Sequence, residues 1–188
     1  MGGFRTSSDD GGRAQRQFAT GQSGVAPFSQ AQILHLMKTE FARGRRYGFP
    51  LACVLMQVDR LQTLADIHGT ELVEVVRAEL VRLVKAGTRG ADQLGFINDD
   101  RYLLVMPHTD EADSMVVAER IYRNFGDLEV TVKGSVLAMS LSLGVVSCSD
   151  RDTLFFDTML SRAEAALSWA LDSGGDRIEV FAKDRLAE

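Results

Sequence analysis

Leu94-Gly-Phe-Ile-Asn-Asp-Asp-Arg-Tyr-Leu-Leu-Val-Met-Pro107 is the stretch on which the fold turns. Two strand-like runs, Leu94–Ile97 and Arg101–Met106, flank Asn98-Asp99, and Asn and Asp tolerate the left-handed backbone that hairpin turns demand. The spacing predicts two antiparallel strands joined by a tight turn. A hairpin inside a chain that otherwise alternates helices and strands excludes a purely parallel sheet.

Working upstream, Pro50 opens Leu51-Ala-Cys-Val-Leu-Met-Gln-Val58, a run of strand length whose lack of alternation implies burial on both faces, so it is the expected central strand. Before it, Ile33, Leu34, Met37 and Phe41 mark one face of a helix, with Ser29 as N-cap and Gly44 and Gly48 near its end. After it, a helical stretch breaks near His68-Gly69 and resumes through Leu72, Val76, Leu80 and Val84 to Gly87. Downstream of the hairpin come a helix from Ala112 to Phe125, a long strand from Val136 to Ser147, a helix from Leu154 to Leu171 halted by Gly174-Gly175, and a last strand at Ile178–Phe181. The pattern is an α/β sandwich around a mixed sheet.

Composition narrows the function. The chain has 188 residues, 45% hydrophobic and 25% charged, enough for one ordinary core and too few for two full-sized domains. Residues 1–26 are rich in Gly, Ser, Gln and Arg and read as a disordered leader or linker; residues 27–188 form the expected domain. Removing the leader's three Arg and two Asp takes the formal charge from −5 to −6. An acidic domain lacks the basic face that releases counterions from DNA or RNA, so nucleic acid is excluded as a partner. No apolar stretch approaches the roughly 20 residues of a membrane span, and no signal-peptide core is present. Cys53 and Cys148 lie in apolar runs and read as buried thiols in a reducing cytoplasm. No zinc spacing, phosphate-cradling loop or catalytic triad is present, His35, His68 and His108 sharing no motif. Trp169 reads as core or interface, and Arg43, Arg45 and Arg46 as a solvated helix end.

The order, lengths and local words together resemble the GGDEF domain family, the diguanylate cyclases that condense two GTP molecules into cyclic di-GMP. The words that carry the likeness are Pro50–Val58, the Asp66–Gly69 break, Arg89-Gly-Ala-Asp92, Val105-Met-Pro107, Ala118-Glu-Arg120, Ser142-Leu-Gly-Val145 and Ala163-Glu-Ala-Ala-Leu167, in family order over roughly residues 23–183. The resemblance implies a sandwich with a central mixed, mainly antiparallel, five-stranded sheet surrounded by helices, the hairpin carrying the signature.

The catalytic residues depart from the family. Phosphoryl transfer needs carboxylate-held metal, close approach to phosphates, and cations against developing charge. Where the resemblance implies a metal-binding Asp, this chain has Gln57, followed by Asp59. The guanine-reading Asn and Asp correspond to Ala65 and Glu74, and the late phosphate-binding Lys and Arg to Leu171 and Gly175. The signature Gly-Gly-Asp/Glu-Glu-Phe reads Asn98-Asp-Asp-Arg-Tyr102; paired glycines let phosphates reach the backbone, whereas Asn98 and Asp99 bring side chains and negative charge. The early Asp-x-Leu-Thr-Gly-Leu motif is replaced by Ser23-Gly-Val-Ala-Pro-Phe28. Asp59 and Asp100 are the surviving carboxylates. The expectation is no catalytic residue, no metal site, no catalytic Mg²⁺ and no cyclase activity.

One family feature is intact. Arg89-x-x-Asp92 stands six residues before Asn98, where many members carry a product-binding inhibitory site, and Arg120 matches a companion arginine of that site. A guanine offers O6 and N7 to an Arg fork and its N1 and N2 donors to a carboxylate, so one Arg and one Asp on a short turn suffice to read it. The resemblance therefore implies a catalytically inactive, cytoplasmic, bacterial receptor of cyclic di-GMP, bound by Arg89, Asp92 and Arg120, with a protein partner or a second copy as its output. The alternative reading is a ligand-independent interaction or dimerisation module, in which Arg89 and Asp92 form a surface ion pair and Arg120 pairs with acids on its own helix.

Overall fold

The structure is a computed structural model that describes residues 26–98, 100–149 and 155–186. The expected leader, Asp99 in the hairpin tip, and the expected helix start at Leu154 fall outside the described residues, Ala26 alone excepted. Helix α1 (Gln30–Tyr47) begins at Ser29, whose hydroxyl accepts from the Gln32 amide while the Gln32 side chain accepts from the Ser29 amide, a reciprocal cap. It runs through Gly44 and ends at Gly48, which takes a left-handed φ of 77° that a Cβ would disfavour.

The chain continues as β1 (Leu51–Val58), α2 (Leu61–His68), α3 (Glu71–Ala86), β2 (Gln93–Phe96), β3 (Arg101–Pro107), α4 (Glu111–Gly126), β4 (Glu129–Val132), β5 (Ser135–Ala138), β6 (Leu141–Cys148), α5 (Phe156–Asp172), β7 (Ile178–Val180) and a 3₁₀ turn at Lys183–Leu186. Five strands form one sheet in the order β2-β3-β1-β6-β7. All neighbours are antiparallel except β6 and β7, so the sheet is mixed and mainly antiparallel, with β1 at its centre as expected.

The unbroken apolar character of β1 follows from its place between two cores. Ala52, Val54, Met56 and Val58 face α3 and α4 through Leu72, Val76, Leu80, Ile121 and Phe125. Leu51, Cys53 and Leu55 face α1 and α5 through Ile33, Met37, Phe41, Met159 and Leu167. Each fully buried large aliphatic side chain contributes about 1.5–3 kcal/mol relative to exposure, so both faces of β1 are fixed and its register with them. Gly144 on β6 is required by the α5 face: a Cβ there would stand 2.3 Å from the Leu167 amide nitrogen. The two cysteines are buried and not joined; burial raises the Cys53 thiol far above the usual range, which keeps it protonated and inert.

Two expectations need correction. The long strand from Val136 to Ser147 is two strands: β5 leaves the main sheet to pair with β4, which the sequence reading missed, and β6 begins at Leu141. The cause is Lys133-Gly134, with φ values of 50° and 82°, a two-residue turn that folds β4 onto β5. The hairpin tip is also wider than a two-residue turn: Phe96 pairs with Tyr102, the Ile97 amide donates to the Arg101 carbonyl (2.9 Å), and the Arg101 amide donates to the Asn98 side-chain oxygen (3.1 Å). Among the described residues no helix is long and apolar enough to cross a membrane.

Candidate functional site

β3 joins two polar regions, one at its start and one just beyond its end. At the start, the β1–β3 register sets Gln57 opposite Arg101. Arg101 Nε donates to Gln57 Oε1 at 2.7 Å, so a guanidinium and an amide satisfy each other where the resemblance implies two acids. Two residues on, Asp59 is fully engaged. Its Oδ1 accepts from the Ser142 hydroxyl (2.7 Å), and its Oδ2 from the Ser140 hydroxyl (2.8 Å) and the Asp176 amide (3.0 Å). The carboxylate thus ties β1 to the start of β6 and to the turn before β7.

Gly175 belongs to that turn. Its φ is 76°, and a Cβ would lie 3.2–3.3 Å from the Asp59 carboxylate, so a lysine or arginine at this position would be strained and crowded. Leu171 packs its side chain against the α1–α5 core. Ala65 is buried, and Glu74 is exposed 3.5 Å from Arg77. Asp100 and Asn98 line a depression of about 260 Å³ together with Leu61, Gln62 and Val73. Tyr102 is buried with its ring 5.1 Å from Phe96, and burial raises its phenol pKa against the opposing influence of the Arg77 guanidinium.

A Mg²⁺ ion asks for about six oxygen ligands in octahedral geometry. The residues here do not fit one. The Gln57 oxygen already accepts from a guanidinium whose charge opposes a dication, and the Asp59 oxygens already accept three hydrogen bonds. Among the described residues no group of three or more His, Cys, Asp or Glu is arranged to hold a metal ion.

Beyond the other end of β3 lies a cleft of about 360 Å³ that brings together Arg89, Asp92 and Arg120, with Asp113, Val116 and Val117 beside them. Gly87 caps α3, and the following turn closes on itself: the Arg89 amide donates to Asp92 Oδ2 (2.7 Å) and the Asp92 amide to the Arg89 carbonyl (3.0 Å). Asp92 is therefore held by backbone, and the Arg89 guanidinium makes no ion pair or hydrogen bond with the described residues, contrary to the surface-pair reading. Arg120 reaches from α4 across the cleft, its Nη2 donating to the Gly87 carbonyl. The acid beside it in sequence, Glu119, pairs instead with Arg123 at 2.7 Å. Gly87 matters for this contact, since a Cβ there would sit 3.2 Å from Arg120 Nε.

The sequence reading named three of the four charged residues that line the cleft, Arg89, Asp92 and Arg120, and missed the fourth, Asp113, together with Gly87. Asp113 was legible in principle, because it lies seven residues before Arg120 on one helix, hence on the same face. Trp169 stacks on Phe181 (5.7 Å between centroids) with the Arg185 guanidinium 4.5 Å from its ring, an internal packing role.

The family profile "Diguanylate cyclase, GGDEF domain" matches residues 28–177. Diguanylate cyclase A of Treponema denticola is 23% identical over 128 residues, covering 68% of this chain and 34% of that protein. This chain therefore spans about a third of that relative's length. Diguanylate cyclase SiaD of Pseudomonas aeruginosa, solved with its activator SiaC, superposes with a TM-score of 0.75 at 26% identity, covering 81% of this chain and 58% of that one. The GGDEF domain of DgcB from Caulobacter crescentus, solved in complex with c-di-GMP, gives a TM-score of 0.77 at 14% identity over 88% and 97% of the two chains, a likeness of fold.

Proposed function

The chain belongs to the GGDEF family of diguanylate cyclase domains, and from that premise we propose that it is a member without cyclase activity, serving as a receptor for cyclic di-GMP through Arg89, Asp92 and Arg120. The single observation that carries this reading is the convergence of those three side chains, from two separate segments, on one cleft of about 360 Å³. That volume is within the range of about 300–1,000 Å³ typical of small-molecule sites. Arg89 offers a fork to guanine O6 and N7 or to a phosphate, Asp92 offers its remaining oxygen to the N1 and N2 donors, and Arg120 closes the opposite wall. The loss of catalysis is supported by the Gln57–Arg101 pair, by the engaged Asp59, and by the buried Ala65 where guanine would be read. No metal or cofactor is required in this reading.

The setting is the bacterial cytoplasm, and the output passes to a protein partner or a second copy of the chain. Titration calorimetry of the 188-residue chain with cyclic di-GMP tests the proposal. Micromolar or tighter binding, abolished by Arg89→Ala and by Asp92→Ala but kept by Gln57→Ala, is the expected outcome. Absence of binding heat, together with a partner pull-down indifferent to Arg89→Ala, would establish the ligand-independent module instead. Formation of cyclic di-GMP from GTP with Mg²⁺ or Mn²⁺ would overturn the inactive reading.

A further inference from the structure

The hairpin of β4 and β5 stands apart from the main sheet, and one of its edges is open. β5 has β4 on one side and, among the described residues, no strand on the other. Ser135 and Ala138 are exposed, Leu137 is half-buried, and Val136 is 61% exposed, too open for an apolar side chain under a covering helix or loop. The turn fixes which backbone groups face outward. Lys133 and Gly134, both with positive φ, are its central residues, so the Ser135 amide faces the Val132 carbonyl across it. Antiparallel pairing alternates from there: Ser135 and Leu137 direct their backbone groups at β4, and Val136 and Ala138 direct theirs at the open edge. Neither of those two amides donates to another described element.

Edge strands are ordinarily guarded by a charge, a proline, a bulge or a covering element. Ser135-Val-Leu-Ala138 carries no charge and no proline, and it pairs with β4 residue for residue, without a bulge. A second copy of the same strand fits the edge. About a two-fold axis at Leu137, antiparallel apposition sets Val136 opposite Ala138 of the second copy, and the reverse. Both are outward-facing residues, so each pair exchanges both of its N–H···O bonds. Leu137 then meets its own counterpart in the closer, non-hydrogen-bonded pairing, on the face where Val130 and Val132 are already buried. Moving the axis to Val136 would set Ala138 against Gly134, whose φ of 82° belongs to the turn, and those bonds would be lost. Charge agrees with this register. The hairpin has Lys133 at its turn and Asp127 and Glu129 at its open end, and antiparallel apposition lays the cationic end of each copy toward the acidic end of the other.

We propose that the β5 edge is a self-association surface, at which two copies of this chain join their two-stranded sheets into one, in the order β4-β5-β5-β4. The contact is isologous and consumes both open edges, so association stops at the dimer. It uses none of Arg89, Asp92 and Arg120 and stands independently of the receptor reading.

Analytical ultracentrifugation of the 188-residue chain, without nucleotide, tests the proposal. The unaltered chain should pass from monomer toward dimer as its concentration rises to about 1 mM, because so short a strand contact lies at the weak end of protein association. Val136→Lys, which places a charge on the edge, should shift that transition at least about tenfold upward while circular dichroism stays unchanged. Val136→Pro deletes one outward amide that β4 does not use, and should do the same. Oxidation of Leu137→Cys should give a disulfide-linked dimer, since its two copies stand about 4.5 Å apart between Cα atoms. Ser135→Cys should not, its two copies lying about 13 Å apart along the strands. The native Cys53 and Cys148 are buried and do not compete. A chain that stays monomeric throughout, a dimer indifferent to Val136→Lys, or equal cross-linking of Ser135→Cys would overturn the proposal.

Discussion

The two ends of β3 use the same kinds of residue in opposite ways. At its start, Gln57, Arg101 and Asp59 are spent on one another and on Ser140, Ser142 and the Asp176 amide. About 20 Å away along a seven-residue strand, Arg89 and Asp113 present charged side chains that no described residue engages. Polar groups turned inward stabilise a fold; polar groups left open are available to a ligand. Two charged residues of one chain are thus not equivalent: Asp59 is a clip between strands, whereas the Arg89 guanidinium is engaged by no described residue.

The largest effect is expected at Asp59. Asp59→Ala removes an acceptor from two hydroxyls and an amide, and hydrogen bonds to a charged group are worth about 1.5–3 kcal/mol each before relaxation, so a loss of about 2–4 kcal/mol is expected in urea unfolding. Cyclic di-GMP affinity should not change. Unaltered stability would mean that Asp59 is not structural and would reopen the first region as a ligand site.

A smaller effect is expected at Gln57. Gln57→Ala leaves the half-buried Arg101 guanidinium without its 2.7 Å acceptor, for a loss of about 1–2 kcal/mol and no change at the cleft. The smallest effect on stability belongs to Gly87→Ala. The φ of −99° suits any residue, so the change in stability should stay under about 1 kcal/mol. The added Cβ would press on Arg120, however, and a roughly threefold to tenfold weakening of cyclic di-GMP binding is expected, equivalent to about 0.7–1.4 kcal/mol. Calorimetry and unfolding on the same sample separate the two quantities; equal binding would show that Arg120 needs no fixed place.

Much of this molecule was legible before folding. The unbroken run of β1, the Ser29 cap and the Gly174-Gly175 stop each follow from local chemistry, and each is found where expected. The break between β5 and β6 was not, because Val136–Ser147 is a mainly apolar run and no Pro, Asn or Asp marks Met139-Ser140 as the point where the chain changes sheets. Lys133-Gly134 held a turn signal that an eye fixed on the following run passes over. At the cleft, Arg89, Asp92 and Arg120 were singled out by the family resemblance, whereas Gly87 and Asp113 gain meaning only when α3 and α4 are set side by side.

The expected core and the identity of each polar residue are set by the chain alone, because hydrophobic periodicity and residue identity are its own properties. Tertiary structure decided what each polar residue does. Whether a carboxylate is a ligand, a clip or an open acceptor depends on donors supplied by segments distant in sequence, as Ser140, Ser142 and Asp176 are to Asp59, and only folding brings those donors within hydrogen-bond reach.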